Sequence, residues 1–115
     1  MQFVAEETSI ELNGMKAFEV EGTRVLVVRT DEGVYATQAK CTHLGAPLEK
    51  GKLLDNCRVQ CPFHRAEFDI KSGEVCEWAN FPPGIQMLNF VRGKKDLKTY
   101  PTKVEEGKIY VDLSD

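Results

Sequence analysis

Thr23-Arg24-Val25-Leu26-Val27-Val28-Arg29-Thr30, followed by Asp31-Glu32-Gly33 and then Val34-Tyr35-Ala36-Thr37-Gln38-Ala39, is the stretch on which the fold of this chain turns. The first run is β-branched and continuous enough to be a buried strand. Asp31-Glu32-Gly33 is a turn, and the alternating run after it is the return strand of a hairpin. Outward from this hairpin the texture stays the same. Residues 3–6 and 17–20 are weaker strand candidates around the turn Asn13-Gly14. Downstream, Gly51-Lys52-Leu53-Leu54 and Cys57-Arg58-Val59-Gln60 are short strands. Residues 66–70 and 74–77 flank the turn Lys71-Ser72-Gly73, and 97–105 and 108–113 form a last hairpin about Glu106-Gly107. Pro101 places part of that hairpin at a sheet edge, since proline cannot donate to a ladder. Phe81-Pro82-Pro83-Gly84 is a rigid turn, and 85–95 has no clear period. No stretch longer than about ten residues shows the helical period. The expectation is an all-β protein, an antiparallel sandwich or barrel-like body in one domain over 1–115, with about 41–76 inserted as a smaller subdomain.

Length and composition agree. The 115 residues, 42% hydrophobic and 29% charged with a net charge of −3, describe an ordinary globular chain. The densest basic group, Arg92, Lys94, Lys95 and Lys98, reads as a solvated loop, so no nucleic-acid partner is expected. No run reaches the length of a membrane span, and the first residues lack the pattern of a signal peptide. A cytoplasmic, monomeric protein with no membrane partner is the expectation.

The chemistry lies in two short motifs. Cys41-Thr42-His43 is followed, after residues 44–60, by Cys61-Pro62-Phe63-His64, and the only two histidines of the chain are in this pattern. Two thiolates and two imidazoles on paired loops are the donor set of a Rieske [2Fe-2S] centre, in which histidines replace two cysteines on one iron. The metal ligands and the cofactor-binding residues are thus Cys41, His43, Cys61 and His64, with each loop giving one ligand to each iron. Gly45 lets the first loop bend tightly, and Pro47 and Pro62 stiffen the pair. Two thiolates leave the oxidised centre formally neutral and the reduced one with a single negative charge, which favours a higher potential than four thiolates would. Reduction is also expected to couple to imidazole protonation at high pH; a potential flat up to about pH 10 would contradict this. Of the other cysteines, Cys57 shares a strand face with Val59 and Cys61, beneath the cluster loop. Cys57 and Cys76 are expected as buried thiols, with a bridge between them as the alternative.

The block from Cys41 to Leu48 and from Cys61 to Asp69 resembles the Rieske-type ferredoxins. The resemblance implies the Rieske fold, an antiparallel β body with a small cluster-binding lobe. It places Cys41 and Cys61 on the inner iron and His43 and His64 on the outer, solvent-facing one. It also implies a one-electron carrier, not catalytic by itself, that takes electrons from a flavin-dependent NAD(P)H reductase. It would pass them to a terminal oxygenase that hydroxylates aromatic rings, docking transiently near His43 and His64. Quinol-oxidising members carry an extra cysteine in each loop where this chain has Ala46 and Phe63, and hydroxyl donors where it has Ala66 and Phe68. Their loss implies a potential at the low end of the Rieske range, about −150 mV. The glycine usual after the second histidine is Arg65 here.

Three other readings compete. A Cys₂His₂ zinc site is possible by donor count, but zinc modules pair Cys with Cys and His with His. A terminal oxygenase needs a further mononuclear iron with two histidines and a carboxylate, and both histidines are already used. A small redox or accessory subunit of a nitrite-reductase-like or other reductase complex is the main alternative to the oxygenase ferredoxin. Leu44, Pro47, Phe63, Phe81, Pro82 and Pro83 are candidates for an apolar rim around the histidines, and Trp78 for the core.

Overall fold

The computed structural model describes residues 1–40, 47–54, 57–62, 66–77 and 96–113. Among them are eleven strands and two 3-10 turns, Glu7–Ser9 and Leu48–Lys50; no helix there is long and apolar enough to cross a membrane. The strands are β1 (Gln2–Glu6), β2 (Gly14–Val20), β3 (Thr23–Thr30), β4 (Gly33–Gln38), β5 (Lys52–Leu54), β6 (Arg58–Gln60), β7 (Glu67–Asp69), β8 (Val75–Glu77), β9 (Thr99–Tyr100), β10 (Thr102–Glu105) and β11 (Lys108–Val111). They form three sheets, ordered β1-β11-β10, β2-β3-β4-β9 and β5-β6-β7-β8. Every pairing is antiparallel. The all-β expectation holds.

The hairpin at 23–39 is the centre of the molecule. β3 pairs with β4 from Val25↔Gln38 to Thr30↔Gly33, and Thr30 Oγ1 accepts from Glu32 N at 3.1 Å to close the turn. Val25, Leu26, Val27 and Val28 are all fully buried, because β3 has a core on each side. Val25 and Val27 pack with Ile10, Val20, Val34 and Ile109, towards the sheet of the two chain ends. Leu26 and Val28 pack with Leu48, Val59, Phe68 and Ile70, towards β5–β8. That double burial explains the unbroken apolar run.

Three pairings differ from the simplest reading of the sequence. β1 joins β11 rather than β2, and β2 begins at Gly14 and turns into β3 through Glu21-Gly22. Both turn residues have positive φ, 48° and 80°, the turn that suits the twist of a two-residue hairpin. The strand expected over 97–105 is two strands. β9 pairs with β4 and β10 with β11, and the chain changes sheets at Pro101, between two edge strands. The proline has no N–H to give to either ladder, while its carbonyl accepts from Asp112 N at 2.9 Å.

Candidate metal centre

The third sheet, β5–β8, is built from the chain between β4 and β9. The second motif loop connects β6 to β7 of this sheet, and the first precedes it, between β4 and β5. At the first, Lys40 bridges Pro47 and Leu48 N donates to Ala39 O at 2.9 Å, so the segment 41–46 leaves and returns at one point. At the second, Cys61 N donates to Ala66 O at 2.7 Å, closing a loop that contains position 64. Ala39, Leu48, Cys61 and Ala66, the four residues that close these loops, belong to one apolar cluster with Val59 and Phe68. The two loops therefore rise from a common foundation. Of the four expected ligands, Cys61 is fully buried in that foundation. Cys41, His43 and His64 lie outside the described residues, as do Leu44, Gly45, Ala46, Phe63, Arg65, Trp78 and 81–95 of the other expectations.

A close backbone approach holds the stems together. A Cβ on Gly51 would collide with the carbonyl oxygen of Gln60, so only glycine lets the chain leaving the first loop lie against the strand entering the second. Further out, Gly73 has φ +78° and a Cβ there would strike the Leu97 carbonyl. Leu97 N donates to Gly73 O at 2.8 Å, which fastens the returning chain to the β7–β8 turn.

Two side chains that belong to no motif secure the first stem. Gln38 Nε2 donates to Lys40 O at 2.8 Å while its Oε1 accepts from Lys98 N at 2.7 Å. One amide thus ties the residue before Cys41 to the returning chain. Glu49 Oε2 accepts from Arg24 at 2.9 Å, joining the 3-10 turn after the first loop to β3. Burial works against charge on Glu49. The hydrogen bond from Arg24, the backbone contact and the charges of Arg24 and Lys50 outweigh it, and the carboxyl lies below the usual range. A glutamine or glutamate side chain looks the same in sequence whether it clamps a loop or faces solvent, and only the contact reveals its role.

The other two cysteines correct an expectation. Both are thiols rather than a bridge, but neither is buried: Cys57 is half-buried and Cys76 exposed. β6 begins one residue after Cys57, whose N–H donates to Leu54 O in a turn, so the alternation through Val59 and Cys61 does not extend back to it. Cys76 falls where the β7–β8 register shifts, between the pairs Phe68↔Val75 and Glu67↔Glu77, and β8 is an edge strand. A bulge at an edge turns its extra residue outward. Partial burial pushes the Cys76 thiol up, opposed by Arg58 and supported by Asp69, Glu74 and Glu67.

The donor chemistry and the surroundings fit an iron–sulfur cluster. The Cys61 thiol is a soft donor in a dry position. Ala66 and Phe68 are fully buried apolar neighbours in the same cluster of side chains. Residues 1–101 match the Rieske [2Fe-2S] domain family, and the chain belongs to that family. It is 32% identical over 95 residues to the ferredoxin component of the naphthalene 1,2-dioxygenase system of Pseudomonas putida, covering 83% of this chain and 78% of that one. It is 33% identical over 111 residues to human apoptosis-inducing factor 3, covering 96% of this chain but only 16% of that protein's length. Among solved structures, the ferredoxin of carbazole 1,9a-dioxygenase from Nocardioides aromaticivorans IC177 superposes with a TM-score of 0.77 at 26% identity, over 96% of this chain and 94% of that one. The family's cofactor is the Rieske-type [2Fe-2S] cluster.

Proposed function

We propose that this chain is a one-electron carrier of the cytoplasm that serves an aromatic-ring-hydroxylating oxygenase, and that residues 1–115 act as one domain with a cluster lobe over about 41–76. In this reading Cys41 and Cys61 hold the inner iron and His43 and His64 the outer one. When bound, the cluster accepts and returns a single electron. The protein supplies the dry floor beneath it, from Leu48, Val59, Ala66 and Phe68, and two loops whose stems are closed by backbone hydrogen bonds. A flavoprotein reductase delivers the electron, and a terminal oxygenase receives it by transient docking near His43 and His64. The likeness to dioxygenase ferredoxins along nearly the whole chain supports these partners. The observation that carries the reading is the common apolar foundation of the two loops, with Cys61 buried in it. The absence of hydroxyl groups at Ala66 and Phe68 supports a potential near −150 mV, the low end for Rieske centres.

A second reading, a module that works inside a larger redox assembly, is favoured by the human relative, in which the match occupies a small part of the whole. Reconstitution separates the two. Purified with a dioxygenase-type flavin reductase, NADH and a terminal oxygenase, this protein is expected to support product formation that stops when it is left out. Rapid reduction by the reductase with no transfer to any oxygenase favours the second reading.

A further inference from the structure

The chain is acidic, but its charge is divided. Residues 1–39 hold seven acidic and three basic side chains, a net of −4, whereas residues 40–66 hold two acidic and five basic ones, a net of +3. The positive segment is the one that carries both motif loops and their stems. Its basic side chains are not equivalent. Arg58 is committed to Glu67 at 3.3 Å. Lys40, Lys50 and Lys52 are exposed, and among the described residues they make no ion pair. Elsewhere Lys71 and Lys103 are paired with Glu32 and Glu105 at 2.9 Å, while Lys16 and Lys108 are likewise exposed and in no ion pair among the described residues; what sets Lys40, Lys50 and Lys52 apart is their grouping at the loop stems. Glu49, next to Lys50 in the chain, is already engaged by Arg24.

Position adds to charge. Lys50 and Lys52 line one open cleft together with Gly51, Gln60, Cys61 and Pro62. The cleft therefore opens at the stem of the second motif loop, beside Cys61. Lys40 stands at the foot of the first loop, bridged to Pro47 three residues before Lys50. Gly51 between the two lysines lies close against the Gln60 carbonyl, so this stretch of chain is held at the stem.

We propose that Lys50 and Lys52, with Lys40 beside them, form a cationic landing site, and that the reduced protein docks there on a carboxylate-bearing face of the protein that accepts its electron. Unpaired lysines on an otherwise acidic molecule give it an electrical orientation. An acidic surface is repelled by the body and attracted by the cluster end, which selects the productive encounter and raises its rate. The inference rests on the electron-carrier reading and adds the chemistry of the partner to it.

The test uses the holoprotein and two acceptors of opposite surface charge, the acidic copper protein plastocyanin and the lysine-rich cytochrome c. Electron transfer from the reduced protein to plastocyanin is expected to slow as salt rises. Lys50→Glu with Lys52→Glu is expected to lower that rate about tenfold at low salt and to speed transfer to cytochrome c. Lys103→Glu with Lys108→Glu changes the net charge equally on the β10–β11 hairpin, and is expected to alter either rate less than about twofold. Rates are compared at equal EPR-visible cluster. If the glutamate pair prevents loading, Lys50→Gln with Lys52→Gln is expected to show the same ordering with a smaller change. Equal effects from both pairs of sites, or none from Lys50 and Lys52, would overturn the landing site while leaving the carrier intact. A protein that passes no electron to either acceptor would overturn the carrier reading and the landing site with it.

Discussion

Cys61 and Gly51 show how single residues set the site. Cys61→Ser replaces a soft thiolate with a poor ligand in a fully buried position. The expected result is a protein with less than about a tenth of the visible absorbance and EPR signal, measured as iron and sulfide per chain. Gly51→Ala leaves every ligand in place but puts a methyl group into the Gln60 carbonyl. It is expected to cost about 1–3 kcal/mol in urea unfolding and to speed cluster loss. Gln38→Ala removes two side-chain bonds to backbone at the root of the first loop, about 1 kcal/mol each at most, and is expected to destabilise the protein by about 1–2 kcal/mol. Glu49 supplies a pH effect. Its folded carboxyl titrates below the unfolded one, so the stability from the Arg24 pair is present above the ordinary glutamate range and is lost as pH falls through the folded value. Because Arg24 is half exposed, the pair is worth about 0.5–1 kcal/mol. The difference between wild type and Glu49→Gln is expected at neutral pH and to vanish in denaturation series as pH falls through the folded, lowered carboxyl value. A difference that grew in acid would contradict the assignment.

At the scale of elements, legibility followed how local each signal is. The hairpin β3–β4 was plain in the sequence because its strands pair with each other and the turn lies between them. The short strands β5, β6, β7 and β8 were legible for the same reason, each pairing with the next. Pairings that close over the whole chain were not. β1 and β11 are at opposite ends of the sequence, and nothing in residues 3–6 states which partner they take. The split at Pro101 was half legible: the proline announced an edge but not that the strand passes from one sheet to another. Cys76 failed for a different reason. Alternation assumes a regular ladder, and the register shift opposite Glu67 and Phe68 breaks it. In consequence Cys76 is expected to be alkylated by iodoacetamide in the native protein. The rate should rise only above the ordinary thiol range, since partial burial holds the thiol up. Mass spectrometry of the labelled protein checks the site, and native labelling confined to Cys57 would contradict the bulge. The candidate ligands were legible from spacing and residue type alone, but the floor that supports them comes from β3, β4, β6, β7 and the Leu48 turn, and no local pattern joins those segments.

For the whole molecule, the double core around β3 ties the β5–β8 sheet to the sheet of the two chain ends. Leu26 and Val28 reach one core and Val25 and Val27 the other, so the lobe and the terminal sheet share a central strand. Cluster binding should therefore stabilise the entire fold, and removal of iron is expected to lower the thermal midpoint of the whole transition rather than melt the lobe separately. The charge division between body and lobe is also a whole-molecule property, invisible in the total of −3. Every part of the account depends on one claim, that the paired loops hold a histidine-ligated [2Fe-2S] cluster. The most direct measurement is the EPR spectrum of the purified protein before and after dithionite. The account predicts silence when oxidised and, on reduction, a one-electron signal with the low average g of a cluster bearing histidine ligands. A colourless protein holding one zinc and silent in both states would contradict it.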